Sequence, residues 1–421
     1  MKILLCCEWY APSVGGVQKV IKEIAEGLFL RGHDITVATS FLKTRTFTKL
    51  NGVKVESFEI SGNISQGFHG DIKNYHDFIL SQNFDAILIY AAQQWTFDAV
   101  WPILSKISAK KIHVPCGYSS LYDKRYGNYY SQMPDILRQF DHLVYNSENY
   151  RDIDFARNHS INNYSIIPNG ACTREFLQAP DPDFKKKLGI NENDFIFLTV
   201  GTPPFAKGHI EVAQAYADLQ LPFSSTLILD GQYTPLDIPF LQPMKDRIKL
   251  YPALFKKFLK DMIKFVLRKD VISAGRFKKA LGQIDRQKGK NYLITDLKRS
   301  DIISAFFISD LFVFASHIEY SPLVLFESAA AGLAFISVPV GNAEEISKWT
   351  QCGVICPAEK SENGNVQVSI SSLVEKMTEL SIDNSKRHKL AQCGRKRWKE
   401  KYSWEKIIDQ YEKIISVDIG H

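Results

Sequence analysis

Short apolar runs alternate with amphipathic segments along the N-terminal part of the chain. Residues 3–7 predict a buried strand, and apolar side chains then recur every three or four positions between Val17 and Leu28, as on one face of a helix. Similar strand-like runs lie at 35–38, 53–58, 86–90, 111–115, 142–146 and 164–167. Because helical segments separate most of these runs, the pattern predicts a doubly wound parallel sheet of the α/β class.

The alternation begins again after a polar stretch at 178–193, which we interpret as a linker. Apolar runs at 195–200, 226–229, 311–314, 334–338 and 354–356 predict a second parallel sheet. A chain of 421 residues is too long for one compact core and suits two domains. We expect these domains at residues 1–172 and 173–402, the second with a basic insertion at about 235–290.

Two glutamates follow the strand predicted at 309–314. Glu319 lies on the loop, and Pro322 then opens a helix, where its missing N–H is tolerated. Glu327 lies about a turn and a half inside that helix, and Gly332 ends it. Both carboxylates are therefore expected at the C-terminal edge of a parallel sheet, which is where open α/β folds bind their ligands.

The start of this predicted helix is a candidate anion site. The first N–H groups of a helix have no acceptor within the helix, and the helix dipole favours negative charge there. The amides expected at this position are those of Ser321, Leu323 and Val324. A diphosphate would fit, with one carboxylate left for a sugar and the other for a ribose.

The pattern resembles the donor-site signature of glycosyltransferase family 4, in which two glutamates eight residues apart precede Ala-x-Ala-Gly. Here the signature consists of Glu319, Glu327 and residues 329–332. The resemblance implies a retaining enzyme of GT-B fold, with two Rossmann-like doubly wound parallel-sheet domains facing a central cleft. It implies that Glu319 contacts the donor sugar near its reacting carbon and that Glu327 binds the ribose hydroxyls. The residues implied to hold the diphosphate are Ser321, Pro322, Leu323 and Val324. The alternative is a plain βαβ unit with two solvated carboxylates.

A second match follows the first strand of the second domain. The family has an arginine after the first glycine of this loop and a Lys-Gly pair five residues later. Lys207 fits this pattern and would neutralise charge on the departing nucleoside diphosphate. Thr202 stands at the arginine position, so the resemblance implies that it belongs to the donor-binding loop but supplies no charge there. The alternative is a surface lysine at a helix start, which the helix dipole disfavours.

Gly15 and Gly16 form a third match, between the first strand and the first helix. The family has a glycine pair there that faces the donor diphosphate and the acceptor, because glycine lets the backbone approach a ligand. The alternative is a tight turn that needs glycine for its geometry alone. The resemblance also implies that the C-terminal helix at 403–416 packs back on the N-terminal domain.

Family members often place a His-Gly pair against the donor sugar, and this chain departs from that pattern. Cys116 precedes the glycine, and the nearest imidazole, His113, comes three residues earlier. We interpret His113 as a residue of the strand, so both are weak candidates for a sugar contact. Two Asp-x-Asp triplets, at 152–154 and 181–183, are of a kind that binds metal in other glycosyltransferases. We interpret them as solvated carboxylates and expect no metal and no other cofactor.

Composition restricts the class of protein further. With 45% hydrophobic and 23% charged residues the chain is an ordinary globular protein, and its seven cysteines form no even disulfide framework. We therefore expect a reducing, cytoplasmic location. No run of 18 apolar residues is present, and the apolar stretch at the N-terminus is too short for a signal peptide.

The basic insertion carries a local charge. Residues 245–290 contain fifteen Lys or Arg against four Asp, although the whole chain has a net charge of only +6. Within it, residues 252–269 have apolar side chains at helical spacing with lysines on the other faces, as in a helix that lies on an anionic membrane. A core-packing helix with a solvated basic face is an equal alternative. Nucleic acid is disfavoured, because no known nucleic-acid-binding motif is present.

Together these features predict a cytoplasmic, metal-independent, retaining glycosyltransferase of the hexosyl type. Its partners would be a nucleotide-sugar donor and a lipid-linked or surface-polysaccharide acceptor. Association with the inner face of a membrane depends on which of the two alternatives holds for residues 252–269. A protein of the same fold that has lost catalysis and serves as a binding subunit is the alternative, motivated by Thr202 and Cys116.

Overall fold

The computed structural model describes residues 1–234, 269–361 and 364–416. The chain folds into two compact units, each built on its own parallel sheet. Unit 1 comprises Met1–Cys172 together with the C-terminal residues from Lys401, and unit 2 comprises Thr173–Glu400. The amphipathic segment at 252–269 lies outside the described residues, apart from the backbone of Lys269.

Unit 1 contains ten of the described strands. They are β1 (Lys2–Cys6), β2 (Asp34–Ser40), β3 (Lys49–Leu50), β4 (Val53–Phe58), β5 (Ser61–Asn63), β6 (Gly67–His69), β7 (Ala86–Tyr90), β8 (Lys110–Val114), β9 (His142–Tyr145) and β10 (Tyr164–Ile166). The main sheet has the order β10-β9-β8-β7-β1-β2-β4-β3, and all its neighbours are parallel except β3 and β4. β5 and β6 form a separate antiparallel pair. Because β1, β2, β7 and β9 are mostly buried on both faces, their sequences are rich in apolar residues.

The helices of unit 1 connect these strands. They are α1 (Gly16–Leu30), α2 (Ile72–Ser81), α3 (Trp95–Asp98), α4 (Gly127–Leu137) and α5 (Arg151–Asn158), with 3-10 helices at Trp101–Lys106 and Lys124–Tyr126. The C-terminal helix (Trp404–Ser416) packs on α1, where Arg31 at the end of α1 pairs with Asp409 at 2.5 Å and Glu412 at 3.1 Å. The backbone of Ala171 also bonds to that of Tyr402 and Trp404, which fixes the start of this helix in unit 1.

Unit 2 contains the other eight described strands. They are β11 (Phe195–Val200), β12 (Ser225–Asp230), β13 (Lys290–Thr295), β14 (Leu311–Phe314), β15 (Phe335–Ser337), β16 (Gly353–Ile355), β17 (Ala358–Lys360) and β18 (Val366–Val368). Its sheet has the order β13-β12-β11-β14-β15-β16 with every neighbouring pair parallel, and β17 and β18 form an antiparallel hairpin. The two doubly wound sheets confirm the predicted fold class.

Unit 2 also contains nine of the described helices. They are α6 (Thr173–Phe176), α7 (Phe184–Lys187), α8 (His209–Asp218), α9 (Lys269–Ile284), α10 (Arg299–Ile308), α11 (Leu323–Ala331), α12 (Ala343–Thr350), α13 (Ile370–Ile382) and α14 (Asn384–Arg397), and a π-helical segment follows at Trp398–Tyr402. The stretch interpreted as a linker is thus part of unit 2, because α7 forms within it and buries Phe184. The strand β13 was not predicted, since its apolar run lies beside the basic segment.

Candidate active site

The order of the strands in unit 2 singles out one position at the carboxyl edge of its sheet. From β11 the chain continues outward through β12 and β13, whereas from β14 it continues in the opposite direction through β15 and β16. The loops after β11 and β14 therefore flank a topological switch point, which is the usual ligand position in open α/β sheets. Lys207 lies on the first of these loops and Glu319 on the second.

The two loops are held together by their backbones. The amide of His317 donates to the carbonyl of Ala206 at 3.0 Å. Gly208 has a φ of +79°, and a Cβ there would lie 2.0 Å from the carbonyl oxygen of Ala315, so only glycine permits this approach. Lys207 is consequently placed beside the loop that carries Glu319 by contacts that do not involve either charged group.

Lys207 and Glu319 form an ion pair at this position. The ammonium of Lys207 contacts Oε1 of Glu319, and the hydroxyl of Ser316 donates to the same oxygen at 3.2 Å. The side chains are 22% and 16% exposed, respectively, so the pair is accessible from the edge of the sheet. A ligand can therefore reach a cation and a carboxylate together.

The segment from Glu319 to α11 is fixed from the neighbouring loop. The amide of Asn342 donates to the carbonyl of Tyr320 at 2.9 Å. Gly341, with a φ of +53°, approaches so closely that a Cβ would lie 2.3 Å from the same carbonyl oxygen. Leu323 and Val324 then form the first turn of α11, where N–H groups have no acceptor within the helix. The first turn of α11 thus begins four residues after Glu319.

Glu327 lies on α11 and is nearly buried, with 4% of its side chain exposed. Nη2 of Arg299 donates to Oε1 of Glu327 at 2.6 Å. The same guanidinium binds Glu175 through two bonds, from Nε at 3.0 Å and from Nη2 at 2.6 Å. Burial lowers the pKa of Arg299, but the carboxylates of Glu327 and Glu175 outweigh it and raise that pKa above its ordinary value. Sequence reasoning did not identify Arg299 or Glu175.

A buried aspartate orders the loop that leads to Arg299. Asp230 ends β12, and its Oδ1 accepts from the hydroxyl of Thr295 at 2.9 Å and from the amide of Leu297 at 2.8 Å. Burial raises the pKa of Asp230 to about 7, and these hydrogen bonds lower it only in part. The start of α10, and with it Arg299, is therefore positioned by a carboxyl group inside the unit.

Thr202 carries no charge into the site. Its hydroxyl accepts from the amide of Gln232 at 3.0 Å and so connects the loops after β11 and β12. The residue is exposed, and it stands where the related family has an arginine. Of the two cations expected from the family pattern, this loop therefore supplies only Lys207.

Gly15 and Gly16 lie in unit 1, at the start of α1. Gly15 is extended, with a φ of 174°, which any residue can adopt, and a Cβ at Gly16 would meet nothing within 4 Å. A Cβ at Gly15 would crowd only the end of the Gln18 side chain, at 2.5 Å. Backbone strain therefore does not require either glycine.

His113 and Cys116 also lie in unit 1, at and after the end of β8. His113 is fully buried, its Nδ1 lies 2.9 Å from the carbonyl oxygen of Ile89, and its ring stacks on Phe97. Burial lowers the pKa of His113 to about 3, so the imidazole is neutral. Burial also raises the pKa of the Cys116 thiol to about 12. His113 is therefore a packing residue of the strand, whereas Cys116 is only partly buried.

The prediction that the first Asp-x-Asp triplet is solvated is wrong for Asp152. Asp152 is fully buried and accepts a hydrogen bond from the amide of Gly117 at 2.9 Å, whereas Asp154 is exposed. The residues around Asp152 are mostly polar, so the sequence does not indicate that the first turn of α5 faces inward. In the second triplet, Asp181 pairs with Lys187 at 2.5 Å on the surface. Within the described residues no group of three or more His, Cys, Asp or Glu side chains is arranged to hold a metal.

No helix in the described part of the chain is both long enough and apolar enough to cross a bilayer.

Known structures resemble the chain along its whole length. Sucrose-phosphate synthase of Thermosynechococcus elongatus aligns over 98% of both chains, with a TM-score of 0.71 at 14% identity. The Anabaena protein HepE in complex with UDP and glucose aligns over 99% of both chains, with a TM-score of 0.67 at 14% identity. The chain has the GT-B fold.

The sequence itself is similar to those of glycosyltransferases. Residues 277–397, which include Arg299, Glu319 and Glu327, match the family of glycosyl transferases group 1. N-acetyl-alpha-D-glucosaminyl L-malate synthase of Bacillus anthracis is 22% identical over 98% of this chain and 96% of its own length. The predicted resemblance to a GT-B glycosyltransferase is confirmed by these matches.

Proposed function

We propose that this chain is a retaining glycosyltransferase that moves a sugar from a nucleotide-sugar to a glycoconjugate or polysaccharide acceptor. The observation that supports this most strongly is the Lys207–Glu319 pair at the switch point of the unit 2 sheet. A cation, a carboxylate and the first turn of α11 then lie along one short stretch of the sheet edge. These are the groups that a nucleoside diphosphate and a sugar require.

In the proposed reaction Lys207 exchanges partners. Its ammonium leaves Glu319 for the diphosphate, where it stabilises the negative charge that develops as the bond to the sugar breaks. The amides of Leu323 and Val324 bind the same group at the positive end of α11. Glu319 is thereby released to accept hydrogen bonds from the donor sugar near its reacting carbon. Glu327, further along α11, binds the ribose hydroxyls.

Relatives suggest which donors to test first. The HepE structure contains UDP and glucose, and the Bacillus anthracis relative is named for an N-acetylglucosaminyl product. We therefore propose a hexosyl donor of the UDP-sugar class. The acceptor proposed is a lipid-linked or surface-polysaccharide precursor at the cytoplasmic face of a membrane. The segment proposed to contact that membrane, 252–269, lies outside the described residues apart from the backbone of Lys269.

Incubation of the purified chain with UDP-, GDP- and ADP-sugars tests this function without knowledge of the acceptor. Slow hydrolysis of one donor should release a sugar whose anomeric configuration, followed by NMR, matches that of the donor. Activity should persist in EDTA, since the proposed leaving-group cation is Lys207. Inversion would contradict the retaining mechanism, and loss in EDTA with recovery in manganese would contradict metal independence.

The charges at the site are the observation that supports the alternative, a protein of this fold that binds nucleotide without catalysis. Thr202 supplies none, Lys207 is balanced by Glu319, and Arg299 faces two carboxylates. A diphosphate would meet less positive charge here than in the family pattern. Nucleotide binding without hydrolysis or transfer, for every donor of the panel, would support this alternative over catalysis.

A further inference from the structure

We propose that Arg299 is a positioning residue for ribose recognition: it holds the carboxylate of Glu327 toward the nucleotide, and Glu175 in turn holds Arg299. This inference rests on the proposed function, because it concerns the same donor. It adds two residues that lie outside the donor signature and 124 positions apart in the chain.

The geometry of the three side chains fixes the guanidinium. Glu175 engages Nε and Nη2 of Arg299 at 3.0 and 2.6 Å, which is a two-point contact that sets the plane of the group. The remaining bond of Nη2, at 2.6 Å, is to Glu327. Rotation of Glu327 would therefore break a charge-assisted hydrogen bond, and its carboxylate is held in one orientation.

The burial of the three side chains differs in a way that suits a ligand. Glu327 is 4% exposed, whereas Glu175 is 25% and Arg299 is 36% exposed. A nearly buried carboxylate without a cation would be strongly unfavourable, so Arg299 maintains Glu327 as a charged acceptor. Arg299 and Glu175 are therefore the exposed members of the cluster.

The charge of the cluster indicates which part of a nucleotide it receives. The three side chains, one guanidinium and two carboxylates, carry a net charge of −1 among themselves. A phosphate would be repelled there, whereas a hydroxyl group donates to a carboxylate and is favoured. Ribose hydroxyls fit this requirement, and the diphosphate belongs instead at Lys207.

Arg299 is held on further sides before any ligand binds. It is the first residue of α10, directly after the loop that Asp230 orders through Thr295 and Leu297. Its guanidinium also lies over the ring of Phe176, 6.0 Å from the ring centre. Such support from a second layer of residues is what reduces the cost of ordering a binding group when ligand arrives.

The test compares a nucleoside diphosphate with its 2′,3′-dideoxy analogue by calorimetry, using UDP first and then GDP and ADP. In the wild-type chain the ribose form should bind at least roughly tenfold more tightly. In Arg299→Gln this ratio should fall to about two or less, while the affinity for the dideoxy form stays within about twofold. Glu175→Gln should give an intermediate ratio, and so should Arg299→Lys, which retains the charge without the two-point contact.

Arg276→Gln is the matched control, because Arg276 also pairs with a buried carboxylate of unit 2, Glu211, at 3.2 Å. It should keep the wild-type ratio. An unchanged ratio in Arg299→Gln, or an equal loss for both ligands, would overturn the positioning role and leave the proposed function standing. If Arg299→Gln does not fold, the ratio in Arg299→Lys and Glu175→Gln decides in the same way. Absence of wild-type binding to all three nucleotides would overturn the proposed function and this inference with it.

Discussion

The carboxyl edges of the two sheets have the same architecture but use polar residues differently. In unit 1, Asp152 is fully buried and bonds to the amide of Gly117, and His113 is neutral and stacked inside the core. In unit 2, Lys207 and Glu319 pair with each other and remain partly exposed. Asp152 and His113 in unit 1 thus serve the packing and the backbone, whereas Lys207 and Glu319 in unit 2 present charge.

This difference shows why position in a Rossmann-like unit does not by itself indicate function. A carboxylate that already accepts backbone hydrogen bonds has little left to offer a ligand. A cation and an anion that neutralise each other can exchange partners when a diphosphate arrives. The donor chemistry is therefore expected in unit 2, and substitutions in the two edges should have separable consequences.

The largest expected effect is on turnover and comes from Lys207→Ala. Loss of the cation that stabilises the leaving diphosphate should lower kcat by about a hundredfold or more. Lys187→Ala is the matched control, because Lys187 also pairs with a carboxylate of unit 2 but lies on the surface. Donor hydrolysis rates, measured with thermal melting, check this prediction. Turnover within a few-fold of wild type would remove Lys207 from the mechanism.

A second effect concerns Asp230 and appears only as a function of pH. Because burial raises its pKa from 3.8 to about 7, the protonated form is favoured in the folded chain. The stabilisation of the folded chain by protonated Asp230 is complete below about pH 4, and it is lost as the pH rises through 7. Asp230→Asn does not titrate, so its advantage over wild type should grow between pH 4 and 8, with an upper bound on the order of 4 kcal/mol. Urea unfolding of both proteins across this range measures it, and a constant difference would contradict the assigned burial.

Glu327→Ala should reduce the affinity for a nucleoside diphosphate, because the ribose loses a charged acceptor worth about 1.5–3 kcal/mol. The exposed Glu375 provides a control in the same unit, and Glu375→Ala should bind as wild type does. Calorimetry decides between them. An unaltered affinity in Glu327→Ala would mean that this carboxylate serves only to balance Arg299.

The smallest effect is expected in unit 1, where Asp152→Ala should cost about 1–3 kcal/mol of stability because the buried amide of Gly117 loses its acceptor. Asp154→Ala, two residues away on the exposed side of α5, should change stability by less than about 0.5 kcal/mol. Nucleotide affinity should be the same in both variants. A selective loss of nucleotide affinity in Asp152→Ala would contradict the assignment of nucleotide binding to unit 2 alone.

The sequence predicted those features that depend on neighbouring residues. The loop holding Glu319, the helix carrying Glu327 and the Lys207-Gly208 pair are each local patterns, and the alternation of apolar runs predicted both sheets. Burial of His113 within β8 also follows from the strand-like residues around it.

Features that depend on tertiary packing could not be predicted in this way. Arg299 meets Glu175 only because α6 and α10 pack together, and β13, which precedes Arg299, was missed beside the basic segment. Asp152 was expected to be solvated because its neighbours in sequence are polar. Burial of one turn of a short helix depends on what packs against it, and the sequence around it does not show that.

Calorimetric titration of the full chain with UDP, GDP and ADP in EDTA, repeated with Lys207→Ala, tests the central claim most directly. The account predicts that at least one nucleotide binds the wild-type chain at a single site and that Lys207→Ala weakens this binding by about tenfold or more. Equal binding to wild type and Lys207→Ala, or no binding to the wild-type chain, would contradict the assignment of the donor site to the edge of the unit 2 sheet.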